Sequence, residues 1–209
     1  GDFLRELREL TARVGAALIF DEVITGFRCC PGGAQEWFGV RADLATYGKI
    51  VGGGMPIGVL AGSRQYMDVL DGGQWTYGDD SFPEVGVTFF AGTFVRHPLA
   101  MAAADAVLRH LREAGPGLQE GVNAKAASLA ARLNAIFAAG GMPLRVEAFS
   151  SILQVKLAPA FRFGGLLFYY LRDQGIFLWE GRLAFLSCAH TDADVDEIIR
   201  RFSAGCRRG

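Results

Sequence analysis

An uninterrupted apolar run, Ala16 to Phe20, stops abruptly on two adjacent carboxylates, Asp21 and Glu22. A strand buried on both faces reads as a continuous apolar run, and in open α/β sheets ligands gather beyond the carboxyl ends of such strands. Before the run, Phe3, Leu7, Leu10 and Val14 recur at the spacing of one helix face, with Asp2 placed to cap the start and Gly15 to end the last turn. An amphipathic helix followed by a buried parallel strand predicts an α/β layer whose polar chemistry begins at residue 21.

Of the 209 residues 51% are hydrophobic, enough to build one or two cores. Lys and Arg number 21 against 22 Asp and Glu, so no net field would attract a nucleic-acid backbone or an anionic membrane. The most apolar stretches are broken by Asp105 and Arg109 or by Arg132 and Asn134, which excludes a membrane-spanning segment. Residues 1–8 form a charged stretch without an apolar signal core, and the expected location is cytoplasmic. Cysteines at 29, 30, 188 and 206 never form C-x-x-C, and His97, His110 and His190 never form H-x-x-x-H. Reduced structural thiols and no metal are expected.

Further along, Asp71 to Pro83 is polar and aromatic with turn-forming residues, the pattern of a long functional loop. Pro98 then opens a helix that stops near Gly115. From Gly117 an Ala-rich helix runs to about Ala139. Extended stretches follow at Leu144 to Glu147 and Ile152 to Leu157, then a helix near Gly165 to Gln174, short strands around Phe177 and Phe185, and a last helix capped by Thr191 and Asp194. Arg200 and Arg201 are placed near its end, where cations suit the macrodipole. The division expected is 1–115 for the first region and 116–209 for an α+β layer.

Two residues could carry chemistry. Asp21, at the end of a buried strand, must be solvated, capping, or facing a cation. Lys49 sits in Tyr47-Gly48-Lys49-Ile50-Val51-Gly52-Gly53-Gly54, where apolar neighbours and bare backbone can desolvate an amine and let it attack a carbonyl. Phosphate-binding readings of the glycines fail on spacing: Ile57 stands where a dinucleotide fingerprint needs glycine or alanine, and Ile50 where a P-loop needs Ser or Thr. A strand-end acid with a glycine-flanked lysine fits pyridoxal 5'-phosphate (PLP), which a lysine holds while an acid keeps the ring nitrogen protonated.

The wording of three ordered segments goes further. Leu18 to Arg28 (LIFDEVITGFR), Tyr47 to Gly58 (YGKIVGGGMPIG), and Ala91-Gly92-Thr93 followed by His97-Pro98-Leu99-Ala100 closely resemble class III aminotransferases, and glutamate-1-semialdehyde aminomutases in particular. The resemblance implies PLP as cofactor, with Lys49 as the Schiff-base lysine, Asp21 paired with the pyridinium nitrogen, and Val23 on one ring face. Thr93 would bind the cofactor phosphate of the neighbouring subunit, so that active sites are shared across a homodimer. It also implies a partial PLP-dependent transferase fold of type I, in which 1–115 is the second half of the large, mostly parallel-sheet α/β domain and 116–209 a small carboxy-terminal α+β domain. Glu22 is read as anchoring the following turn, and Arg28 as pairing with a nearby carboxylate or carbonyl. Trp75, Tyr77, Phe82, Phe89 and Phe90 either line a substrate entry or simply pack.

Trp179-Glu180-Gly181-Arg182, Leu186-Ser187 and Ala189-His190-Thr191 resemble the aminotransferase domains of hybrid polyketide and nonribosomal peptide synthetases. There the amino group from an amino-acid donor goes to a β-keto acyl chain tethered to a carrier protein. The resemblance covers nearly the whole chain but only the later half of such an enzyme, so sheet edges and apolar faces should lie open, and the isolated polypeptide should bind PLP poorly. The aminomutase reaction on the same fold is the alternative; a noncatalytic dimerisation or scaffold remnant is the alternative of another class.

Overall fold

The computed structural model describes residues 1–84 and 86–206. By its contacts the chain divides into two compact units, Gly1–Gly115 and Pro116–Gly209.

In the first unit, helix α1 (Asp2–Val14) leads into strand β1 (Ile19–Asp21), the short helix α2 (Gly33–Phe38), strand β2 (Leu44–Tyr47), a 3-10 turn at Lys49–Gly52, strand β3 (Val59–Gly62), helix α3 (Arg64–Asp71) and helix α4 (Pro98–Ala114). The sheet order is β1-β2-β3, with β1 and β2 parallel and β2 and β3 antiparallel. Asp43, at the entry to β2, fastens α1 to the sheet: its Oδ2 accepts the Leu18 amide at 2.7 Å and Arg8 Nη1 at 2.8 Å. Those two bonds hold the Asp43 carboxyl below the usual carboxylate range, the Leu18 amide contributing most.

Two expectations for this unit are corrected. Asp2 does not cap α1: Gly1 occupies the N-cap and Asp2, the first helical residue, accepts from Arg5 Nη1 at 2.9 Å. The strand ending at Asp21 is not buried, since Ile19 is 57% exposed and β1 pairs on one side only among the described residues. An edge strand with no layer over it leaves its side chains to solvent whatever their hydropathy. The same holds for α1, whose Phe3, Leu10 and Val14 are exposed. Gly15, in contrast, ends α1 at φ 70, as expected of an αL cap.

The second unit has its own core. Helix α5 (Gly117–Ala139), strands β4 (Leu144–Phe149) and β5 (Ile152–Leu157), helix α6 (Leu166–Asp173), strand β6 (Leu183–Phe185) and helix α7 (Asp192–Cys206) follow in order. The strands form an antiparallel sheet in the order β4-β5-β6. Alternation along β4 sends Leu144 and Val146 inward against Leu129, Leu133 and Phe137 of α5 and Phe202 of α7. Asn134 locks α5 to β4 by bonding both the amide and the carbonyl of Val146.

Phe177 is not in a strand. It is 75% exposed, in a segment between the left-handed Gly175 and Gly181 that runs alongside no partner strand. Thr191 and Asp194 exchange bonds as a capping pair at the start of α7. Arg200 and Arg201 are not in its last turn, because α7 continues to Cys206; both pair with Glu197 instead. Bonds from Arg200 and then Arg201 pull the Glu197 carboxyl from 4.5 down to about 2. A depressed folded value stabilises above the unfolded one, so this contribution is complete above pH 4.5 and fades as pH falls toward about 2. Thermal melts of wild type and Glu197→Gln should therefore differ near neutrality and converge toward pH 2; a difference that stays constant with pH would contradict this.

Candidate active site

Asp21 closes β1, and Lys49 follows β2 by two residues. Because the two strands are parallel, with Ile19 opposite Leu44 and Asp21 opposite Thr46, both residues lie at the carboxyl edge of one sheet. Asp21 is exposed. Its Oδ1 takes the Val23 amide at 3.0 Å and the Thr46 hydroxyl at 3.3 Å, which leaves Oδ2 without a hydrogen-bond partner among the described residues. The first of these bonds is an Asx turn, and it fixes the carboxylate relative to the chain that follows.

Lys49 has φ 48, a left-handed backbone that costs a non-glycine residue about 1–2 kcal/mol. It is held there between the extended, buried Gly48 and the left-handed Gly53. The expected desolvation by apolar neighbours is absent: Val51 turns inward and is buried, and Lys49 itself is exposed. The chain has three lysines. Lys125 pairs with Asp192 at 3.1 Å and Lys156 with Glu147 at 2.5 Å, whereas Lys49 makes no ion pair among the described residues. A lysine in strained backbone with an uncommitted amine adds nothing evident to folding. Lys49→Gly should accordingly keep or raise stability, by up to about 1 kcal/mol through relief of the left-handed strain. A urea midpoint that falls markedly would show a structural role for the side chain.

Val23 lies against the backbone just before the lysine: a Cβ on Gly48 would stand 3.5 Å from Val23 Cγ1 and 3.2 Å from the Ile57 carbonyl oxygen. Asp21, Val23 and Lys49 are thus gathered at one edge. Thr93 is elsewhere, on an exposed turn ahead of α4, and its hydroxyl makes no hydrogen bond among the described residues. Packing and backbone explain the glycine run after Lys49: a Cβ on Gly52 would stand 2.9 Å from Ile57 Cγ2 and one on Gly53 2.8 Å from Val107 Cγ2 of α4, while Gly54 adopts φ 92.

Glu22, 1% exposed, anchors the turn after β1. It accepts the Ala34 and Gln35 amides at the start of α2, each at 2.9 Å, and the Thr25 hydroxyl. Arg28 Nε donates to the Ile24 carbonyl at 3.1 Å. The aromatic residues Trp75, Tyr77, Phe82, Phe89 and Phe90 are all exposed, so they are not core packing within this chain. Cys29 is buried, and burial pushes the Cys30 thiol up to about 11, leaving it a donor to the Gly33 carbonyl. Residues that sequence reasoning passed over are Thr46 and Gln35. Neither is charged or in a recognisable motif, and only the fold brings them to this edge.

The second unit contains an apolar cavity of about 650 Å3 lined by Leu129, Leu153, Phe177 and Phe202, among others. Trp179, Arg182 and His190, from the segment with the synthetase-like wording, also line it.

Comparison with known proteins gives the family of the chain. Residues 1–203 match the family model described as Aminotransferase class-III. A glutamate-1-semialdehyde 2,1-aminomutase of Alkaliphilus oremlandii is 37% identical over 206 residues, covering 94% of this chain and 46% of the relative. Among solved structures, an omega-transaminase from Sphaerobacter thermophilus superposes with a TM-score of 0.85 at 30% identity, over 100% of this chain and 48% of that one. A beta-phenylalanine aminotransferase from Variovorax paradoxus gives 0.80 at 33% identity, over 97% and 47%. The chain spans about half the length of the relatives it matches. The fold is thus part of the type I fold of PLP-dependent transferases, with helix and sheet mixed. The chain belongs to the class III aminotransferases, a family of PLP-dependent enzymes.

Proposed function

We propose that this chain supplies the lysine and the acid of a PLP-dependent aminotransferase site, with residues 1–115 as part of the large cofactor domain and 116–209 as the small carboxy-terminal domain. The observation that carries the reading is the placement of Asp21 and Lys49 at one sheet edge, with Val23 lying against Gly48 next to the lysine. Bound there, PLP supplies an aldehyde that captures an amine and a protonated ring that draws electrons from the adjoining carbon. The residues fit: Asp21 has one oxygen oriented by Val23 and Thr46 and the other open to a ring N–H, and Lys49 has an amine tied to no carboxylate. Lys49 would hold the cofactor and would move the substrate proton as general base and acid. Asp21 would face the ring nitrogen with its carboxylate and favour the ionised pair.

The acceptor we favour is a β-keto acyl thioester on a carrier protein, with an amino acid as donor. Its support is the Trp179 to Arg182 segment beside an apolar cavity able to take an acyl chain. That a structural neighbour is a beta-phenylalanine aminotransferase is consistent with amino chemistry at a β carbon. Thr93, exposed and uncommitted, serves a second copy's cofactor phosphate in a cytoplasmic homodimer. The alternative is the aminomutase reaction, which the names of the sequence relatives favour.

Incubation of the longest native polypeptide with glutamate, PLP and a β-keto acyl thioester tests the reading. Transfer predicts release of the keto acid of glutamate in proportion to aminated acyl product. The same polypeptide given glutamate-1-semialdehyde alone and isomerising it without net release of a keto product would mean a mutase, and no product from either substrate would mean a scaffold.

A further inference from the structure

The acid-bearing strand end and the lysine-bearing turn are tied together by a chain of bonds that runs outside both functional residues. It starts at Glu22, directly after Asp21, whose Oε1 accepts the Gln35 amide at 2.9 Å. Gln35 then reaches with Nε2 to the Tyr47 hydroxyl at 3.2 Å, while its Oε1 accepts the Ala42 amide at 2.9 Å. Tyr47 is the last residue of β2, and Gly48 and Lys49 follow it.

The tyrosine ring closes the circuit on its other side. It packs on Phe27 with ring centres 5.6 Å apart, and a Cβ on Gly26 would stand 2.6 Å from its Cδ1 and 2.7 Å from the Glu22 carbonyl oxygen. The Gly26 amide donates to that same Glu22 carbonyl at 2.8 Å. Phe27 is itself left-handed, at φ 60, so two of the four left-handed non-glycine residues among the described residues belong to or flank this circuit, the other being Lys49. Strain at such positions persists only where surrounding contacts over-determine the backbone. Burial and the nearby Glu22 raise the Tyr47 phenol above its ordinary value, so it stays protonated and neutral beside the buried carboxylate.

We propose that Glu22, Gln35 and Tyr47 form a positioning clamp that sets the separation of Lys49 from Asp21, with Gln35 as the shared link. None of the three touches cofactor or substrate; they act through the backbone on either side of the reactive pair. The clamp rests on the PLP reading for its purpose, but its mechanical part is testable without cofactor.

The decisive variants are Tyr47→Phe, which removes only the hydroxyl, and Gln35→Leu, which removes the side-chain bonds but keeps the amide to Glu22. In the cofactor-free chain each should speed amide exchange across residues 47–51 about tenfold. The double variant should exchange no faster than the worse single variant, because both break the same link. Exchange in the second unit serves as the control for global unfolding and should not move. In parallel, PLP with cyanoborohydride should label Lys49, and each variant should raise the half-saturating PLP concentration for Lys49 several-fold. Labelling of Lys125 and Lys156 should not change. A merely structural role would alter melting without that lysine-specific shift.

If Tyr47→Phe changes neither exchange at 47–51 nor half-saturation at Lys49, the clamp is wrong. Additive effects in the double variant would equally overturn it, by showing two independent contacts. If instead wild type shows no preferential labelling of Lys49 while exchange moves as expected, the clamp stands and the PLP reading fails.

Discussion

Replacing Glu22 with alanine should cost the first unit about 2–4 kcal/mol, the largest stability loss expected from any single polar side chain near the site. Two backbone amides at the start of α2 and the Thr25 hydroxyl all lose their acceptor. Each buried donor left unsatisfied costs about 1–3 kcal/mol, reduced here because Ala34 and Gln35 are only half-buried and water can reach them. Glu22→Gln should lose less, since one acceptor oxygen remains while its amide nitrogen faces an N–H it cannot serve. Gly33, at φ 71, makes the room the carboxylate occupies in the wild type: a Cβ there would stand 2.7 Å from Glu22 Oε2. Urea unfolding followed by amide exchange across residues 19–47 measures the loss. A Glu22→Ala chain as stable as wild type would mean that the buried carboxylate organises nothing.

Asp21→Asn should have the opposite profile, with little change in stability and a large loss in turnover. Asparagine Oδ1 can still accept from the Val23 amide and the Thr46 hydroxyl, so the turn and the strand end survive. What disappears is the negative charge beside the ring nitrogen. Removing one preorganised electrostatic contact of this kind costs about 10²–10³-fold in rate. Measured in the longest native polypeptide, kcat should fall by that factor while the melting temperature stays within a degree or two of wild type. Equal activity in Asp21→Asn would remove Asp21 from the site.

The contrast between these two neighbours shows what the sequence could and could not disclose. Asp21 and Lys49 stood out in the sequence because a charge after an apolar run, and an amine among glycines, are costly where buried, although the structure exposes both. Glu22 was legible only as a turn anchor, and its link to Gln35 and Tyr47 was not, because amide and phenol side chains carry no sequence period. The second unit followed its pattern closely. Strands β4 and β5 and helices α5, α6 and α7 lie where alternation and helical spacing placed them, since each packs into one shared core. The apolar run around Phe177 forms no strand because none of the strands among the described residues pairs with it.

In the first unit the pattern was real but its consequence was not. Residues 16–20 are apolar as a buried strand should be, yet Ile19 is exposed, and β1 is an edge strand among the described residues. Helices α2 and α3 went unread: at six and eight residues, one starting on glycine, they are too short to establish a period. The desolvated lysine was mistaken on the same ground. Residues adjacent in sequence cannot cover an amine once they turn inward, as Val51 does.

Mass-spectrometric mapping of borohydride-reduced adducts on the three lysines tests the central assignment most directly. With PLP at near-millimolar concentration, the phosphopyridoxyl group should accumulate on Lys49, and pyridoxine 5'-phosphate, which has the ring and phosphate but no aldehyde, should compete it away. Labelling of Lys125 and Lys156, both held in ion pairs, should be slower and indifferent to the competitor. Labelling of Lys49 that the competitor does not touch, or that falls below the other two, would contradict the assignment of this edge as the cofactor site.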